Sequence, residues 1–159
     1  MARFEIVSFL ALAMVVLFYR VDAAPIGQSI QVQNNQLGNF TCNVERLQTI
    51  VGLGKSAKSI QKAIKAAGSD TATTSQLQTA AGGITSAQAG VNTILQALFT
   101  GQTAPANARQ QVGDGLNVAT TALNSANSTN IDVTSAIATA QSAVAGTLAA
   151  GEKVLSECN

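Results

Sequence analysis

Residues 77–98 read "LQTAAGGITSAQAGVNTILQAL", and this stretch decides the fold class. Its apolar residues recur at alternating intervals of three and four, the spacing of one face of an α-helix, whereas a half-buried strand would alternate with a period of two. This face consists of Leu77, Ala80, Ile84, Ala87, Val91, Ile94 and Leu98. The stretch therefore predicts a long amphipathic helix with a heptad-like apolar face.

The rest of the chain after residue 41 shows weaker forms of the same pattern. The predicted helices occupy residues 42–67, 72–99, 105–126 and 131–157. Thr103 is the predicted N-cap of the third helix, with Pro105 in its first turn, and Asn130 is the predicted N-cap of the fourth. Four long helices joined by short turns predict an all-α fold, an up-down-up-down four-helix bundle.

Two glycine pairs leave the continuity of two helices open. Gly52 and Gly54 interrupt the first helix, and Gly113 and Gly115 interrupt the third. Glycine disfavours helix interiors by about 1 kcal/mol relative to alanine. The sequence therefore leaves open whether the first helix kinks and whether the third breaks.

The composition favours closely packed helices. The chain is rich in alanine, has neither histidine nor tryptophan, and carries a net charge of +1. The predicted apolar face of the first helix is Cys42, Ile50, Leu53, Ala57, Ile60 and Ile64. A core of alanine with scattered Leu, Ile and Val requires helix backbones to approach closely, and such tight packing leaves little room for a ligand.

The two cysteines, Cys42 and Cys158, lie at the start of the first predicted helix and at the end of the last. In a bundle with an even number of helices these positions share one end, so the spacing predicts a disulfide that ties the two ends of the domain together. Free or intermolecular thiols are the alternative.

The N-terminal residues predict secretion. Arg3 precedes the uncharged run "IVSFLALAMVVLF" at residues 6–18, which suits a secretory signal and is too short to cross a bilayer. Residues 1–23 are therefore a predicted cleaved signal peptide, with a retained anchor as the alternative. Residues 24–41 are a predicted extended or flexible arm, and residues 42–158 the bundle. No other apolar run suggests stable membrane insertion, so an extracellular location is expected.

The stretch "GLGKSAKSIQKAIKAAG", residues 52–68, resembles a cationic membrane-lytic peptide. Lys55, Lys58, Lys62 and Lys65 form one stripe opposite the apolar face. A surface helix of a bundle and a membrane-active helix share this pattern. The bundle is favoured because three other helices offer apolar faces. Weak contact of the lysines with anionic lipid, glycan or a partner remains a secondary hypothesis.

Two N-x-S/T motifs make Asn39 and Asn127 candidate N-glycosylation sites. Asn39 lies in the predicted arm next to Cys42, and Asn127 lies in the predicted turn before the fourth helix. Asn127 is the stronger candidate in a secreted glycoprotein, because the predicted disulfide next to Asn39 can hinder access to that site.

No group of residues predicts catalysis, a metal site or a cofactor. General acid–base chemistry usually needs histidine or paired carboxylates, and the acids here are scattered over predicted turns and polar faces as solvated charges. The near-neutral charge, without aromatic residues among the lysines, also disfavours nucleic acid.

The sequence therefore predicts a secreted non-enzymatic protein that binds either a small hydrophobic molecule or an extracellular surface or partner protein. A coat protein of an extracellular layer and a secreted defence factor with a cationic helix are the alternatives. In composition and helix pattern, residues 42–157 resemble fungal hydrophobic-surface-binding wall proteins, a resemblance that implies the coat. Those proteins do not rely on a terminal disulfide.

Overall fold

A computed structural model describes residues 40–158, and in this range the chain forms four α-helices and no strand. The helices are α1 (Phe40–Ala67), α2 (Thr71–Phe99), α3 (Ala106–Ser125) and α4 (Ile131–Glu157). The predicted all-α class with four helices is confirmed. The arm was predicted to extend to residue 41, but α1 already begins at Phe40. The predicted signal peptide, the remainder of the arm and Asn39 lie outside the described residues.

Each helix packs against two others. α1 contacts α2 and α4, and α3 contacts the same two helices, whereas the backbones of α1 and α3, and those of α2 and α4, do not approach each other. The largest side chains of the shared core come from all four helices: Leu53, Ile60, Leu77, Ile84, Leu116, Leu123, Val133 and Val144. Alanines fill the space between them, including Ala63, Ala80, Ala87, Ala119 and Ala140, all of them fully buried.

α2 and α3 meet backbone to backbone through glycines. A Cβ atom built on Gly83 would lie 2.5 Å from the carbonyl oxygen of Gly115, and one built on Gly115 would lie 2.5 Å from that of Gly83. One built on Gly90 would lie 2.8 Å from the carbonyl oxygen of Ala108. Because any larger residue would force these backbones apart, the contact itself depends on glycine.

Both helices with glycine pairs are continuous. α1 passes through Gly52 and Gly54, and α3 passes through Gly113 and Gly115, without interruption. In each pair one glycine lies against another helix, since Gly52 faces Thr147 of α4 and Gly115 faces α2. Packing between helices thus offsets the intrinsic helix-breaking tendency of glycine.

The interface between α1 and α4 is partly polar. The hydroxyl groups of Ser56 and Thr147 lie 3.0 Å apart and are both buried. Thr49 and Ser59 are buried as well, and their hydroxyls donate to the carbonyl oxygens of residues 45 and 55 within α1.

The predicted apolar face of α1 does face the interior, and it is buried in part. Cys42, Leu53 and Ile60 are buried, whereas Ile50, Ala57 and Ile64 are half-buried. The sequence did not predict the serine and threonine side chains in the contact with α4. Small hydroxyl side chains that satisfy themselves within the helix permit the close approach that isoleucine would prevent.

The disulfide between Cys42 and Cys158 is confirmed, with 5.2 Å between the two Cα atoms. It joins the first turn of α1 to the C-cap of α4. The start of α2 and the connection between α3 and α4 are also joined, because the hydroxyl of Thr73 donates to the carbonyl oxygen of Asn127.

Helix starts agree only in part with the predicted caps. Asn130 caps α4 as predicted, accepting from the backbone N–H of Asp132 at 2.9 Å. The predicted capping role of Thr103 was wrong, because α3 begins at Ala106 and Pro105 is its N-cap without a side-chain hydrogen bond. Asp70 is the N-cap of α2, and its carboxylate accepts from the backbone N–H of Thr73 at 3.1 Å.

The Asp70 cap makes stability depend on pH. The Thr73 hydroxyl and backbone N–H, with smaller contributions from Ser128 and Ala72, hold the pKa of Asp70 below its usual value. Because the Asp70 carboxyl binds its proton less tightly in the folded state than in the unfolded chain, the stabilisation is fully present above about pH 4 and disappears as the pH falls through the lowered pKa.

The variant Asp70→Asn tests this dependence, because asparagine can still cap α2 but does not titrate. We expect its deficit in urea midpoint relative to wild type to shrink between about pH 6 and about pH 2; a deficit independent of pH would contradict this account.

Candidate ligand-binding cavity

A cavity of about 180 Å³ lies among the helix segments nearest the disulfide. Its walls come from the first third of α1, the last third of α2, the first half of α3 and the last third of α4, and Cys158 itself lines it. The lining is mainly apolar and includes Ile50, Ile94, Leu98, Val112, Leu148 and Val154. Each of these six side chains is half-buried.

The apolar face of α2 shows why the space exists. Leu77, Ile84 and Ala87 are fully buried in the core, but from Val91 onward the large residues of the same face are half-buried and line the cavity. The apolar pattern continues along the helix without a break, whereas the close packing does not. Tight alanine packing throughout was the expectation, and it fails at this end.

Charged side chains border the apolar lining. Arg46 of α1, Arg109 of α3 and Glu152 of α4 all line the cavity. Arg46 is half-buried, its Nη1 donates to Oδ1 of Asn43 at 3.3 Å, and burial lowers the pKa of its guanidinium group. Arg109 is exposed, and among residues 40–158 the structure gives its guanidinium group neither a hydrogen bond nor an ion pair.

Glu45 is an acid that sequence reasoning misplaced. It was expected to be a solvated charge, but it is only 8% exposed and lies outside the cavity lining. Its Oε1 lies 3.6 Å from Nζ of Lys153, and its Oε2 is buried with no hydrogen-bond partner among residues 40–158. The pairing of α1 with α4 places this carboxylate under the lysine, and a helical wheel of α1 alone cannot show that contact.

The lysine stripe faces solvent. Lys55, Lys58, Lys62 and Lys65 are all exposed, and the opposite side of α1 packs into the core through Leu53, Ile60 and Ala63. For α1 to bury its apolar face in a bilayer, it would have to leave that core. The structure places none of these lysines at the cavity.

Asn127 is exposed in the connection between α3 and α4. Neither it nor the two residues that complete its N-x-S/T motif is helical, so the side chain is sterically open to modification. None of the three residues of the motif lines the cavity.

Among the described residues, no group of three or more His, Cys, Asp or Glu side chains is arranged to hold a metal ion. α4 alone in this part of the chain has the length and hydropathy of a membrane-spanning helix, with a mean hydropathy of 1.2 and a third of the relevant window buried. The alanines and valines that raise its hydropathy include Val133, Ala140 and Val144, which lie in the core. A core helix of a bundle passes the same test.

No protein-family model, curated protein or solved structure matches this chain. The resemblance to fungal wall proteins rests on composition and helix pattern alone. What the cavity binds must therefore be inferred from the residues that line it.

Proposed function

We propose that the protein is a secreted, non-enzymatic carrier that holds a small hydrophobic molecule in the cavity next to its disulfide. The single observation that carries this proposal is the apolar cavity to which all four helices contribute. Helical bundles place ligand sites between their helices, and an apolar lining with a few polar groups is typical of small-molecule sites. The alternative of an extracellular coat or partner-binding protein has no comparable feature in its support.

We further infer that the helices run up, down, up and down. The connections between helices span only residues 68–70, 100–105 and 126–130, which favours antiparallel neighbours. The disulfide brings the start of α1 to the end of α4, and the bond from Thr73 to Asn127 brings two of the three turns together. This arrangement would place the cavity and the Asn127 motif at opposite ends, so that a glycan would not obstruct the ligand.

Secretion is part of the proposal. A disulfide persists in oxidising compartments, and residues 1–23 have the pattern of a secretory signal. The exposed lysine stripe would then be available for weak contact with anionic lipid or glycan. Lytic activity is disfavoured, because the apolar face of α1 is occupied by the core.

The direct test is native mass spectrometry of the protein purified from its own secretion, followed by solvent extraction. A reproducible apolar molecule at near-stoichiometric amount is the expected result. If the recovered chain carries no such molecule, and recombinant protein fails to bind small apolar probes, the carrier proposal is wrong.

Filling the cavity is expected to abolish probe binding without unfolding the protein. Gly113 and Gly151 line the cavity, and a Cβ atom on either has no neighbour within 4 Å. Leucine at these positions would occupy the cavity and favour the helix. We expect Gly113→Leu and Gly151→Leu to weaken the binding of an environment-sensitive apolar dye at least about tenfold, since roughly 1.4 kcal/mol of lost binding energy suffices.

Gly82→Leu is the matched control. It makes the same chemical change in a helix, its Cβ also has no neighbour within 4 Å, and it lies outside the cavity lining. Equal dye affinity for the control and for the two cavity variants would show that the dye binds elsewhere.

A further inference from the structure

We propose, on the basis of the proposed function, that the cavity selects small amphipathic carboxylates. The aliphatic body of the ligand would occupy the apolar cavity, and its carboxylate would be bound by the guanidinium groups of Arg109 and Arg46.

The distribution of cations supports an anionic head group. Residues 40–158 contain just two arginines, Arg46 and Arg109, and both line the cavity. All the lysines in this range lie outside the cavity lining. Arginine and lysine are thus separated within these residues. Arginine, whose planar guanidinium group can bind a carboxylate through two parallel hydrogen bonds, occurs only at the cavity.

The two arginines line one cavity from two different helices. They come from α1 and α3, helices whose backbones do not touch, so they reach the cavity from different walls. Each guanidinium presents several N–H donors, and a carboxylate offers enough lone pairs to accept from both. Arg109 has these donors unused within the described residues, whereas Arg46 already donates to Asn43.

The charge balance of the lining favours a single negative charge. Besides the arginines, Glu152 is the only ionisable side chain of the described residues that lines the cavity, so this lining has an excess of one positive charge. Arg46 is half-buried, so its guanidinium has lost part of its hydration, and this burial lowers its pKa. An anion held beside the guanidinium would offset the lost hydration, whereas a protonated amine would repel it.

The size of the cavity limits the ligand body. A dry apolar cavity of about 150 Å³ holds a molecule the size of benzene. The volume here, about 180 Å³, is only slightly larger. A medium-length aliphatic chain or a single-ring body fits, and a long-chain lipid would have to leave much of its tail outside.

The test compares three ligands with the same chain and different head groups: octanoate, octan-1-ol and octylamine. Their binding to the full-length oxidised protein is measured by isothermal titration calorimetry near neutral pH. We expect octanoate to bind at least about tenfold more tightly than octanol, and octylamine to bind most weakly.

In Arg109→Gln the affinity for octanoate should fall about tenfold while the affinity for octanol stays the same. Arg109→Lys, which keeps the charge and loses the planar donor fork, should lie between the two. Arg46→Gln should act in the same direction.

Three results would overturn the proposal, and they separate it from the carrier function. Equal affinities for octanoate and octanol would remove the carboxylate selectivity and leave the apolar carrier intact. Tightest binding of octylamine would assign the head group to Glu152 instead. Absence of binding for all three ligands would refute both the carboxylate site and the carrier. The urea midpoints of the variants, measured in parallel, identify any loss of affinity that comes from unfolding.

Discussion

Reduction of the disulfide is expected to lower the free energy of unfolding by roughly 4–5 kcal/mol, the largest change expected for any single bond in the protein. Cys42 and Cys158 are separated by 116 residues, and the entropy that a cross-link removes from the unfolded chain grows with the length of the loop it closes. Since domains are typically stable by about 5–15 kcal/mol, this loss would remove a large fraction of the total.

The measurement is urea denaturation of the oxidised and the fully reduced protein, with reduction verified by mass. Reduced wild type is a better comparison than a serine variant, because Cys42 is fully buried and a hydroxyl group there would add its own cost. An unchanged midpoint after verified reduction would show that the disulfide does not stabilise the fold. Reduction should also weaken ligand binding more than denaturation alone explains, since Cys158 lines the cavity.

Gly83→Ala is expected to destabilise the protein by about 3 kcal/mol, even though alanine is the better helix former. Its Cβ atom would lie 2.5 Å from the carbonyl oxygen of Gly115 and 2.8 Å from the backbone nitrogen of Ala119. Both obstacles are backbone atoms, so no rotamer change relieves the clash and α2 and α3 must separate. Gly115→Ala should behave similarly, because its Cβ meets Gly83 and Ala87 at 2.5 Å and 2.7 Å.

Gly82→Ala is the matched control for this prediction. It changes the neighbouring glycine in the same helix, where a Cβ atom has no neighbour within 4 Å. It should stabilise the protein by about 0.5–1 kcal/mol through helix propensity alone. The measurement is the urea midpoint of each of the two variants, compared with that of the wild type. If Gly83→Ala proves as stable as Gly82→Ala, the close backbone contact between α2 and α3 does not exist in solution.

Much of the architecture could be predicted from local signals. The apolar spacing in residues 77–98 defines α2, the cysteine positions define the disulfide, and Asn130 marks the start of α4. Each of these depends on residues close in sequence or on a pair with no competing partner.

The features that sequence reasoning missed depend on contacts between helices. A helical wheel assigns serine and threonine to the polar side, yet Ser56 and Thr147 meet inside the interface of α1 and α4. Glu45 is buried for the same reason.

The cavity could not be predicted from the local sequence. The apolar pattern of α2 is the same before Val91, where the side chains are packed in the core, and from Val91 onward, where they line the cavity. Only the packing between helices distinguishes the two regions. The fact that both arginines of residues 40–158 reach that opening could likewise not be read from their positions, which are 63 residues apart in the printed sequence.

The disulfide also determines how the domain responds to mechanical load. It joins the first turn of α1 to the residue that follows α4, so the four helices lie inside a covalent loop. A pulling force applied to the chain on either side of Cys42 and Cys158 is carried by the sulfur–sulfur bond, and the helices are not stretched. A protein attached to a surface or matrix through these flanking residues would therefore keep its cavity under tension, and would extend by the full length of the loop only after reduction.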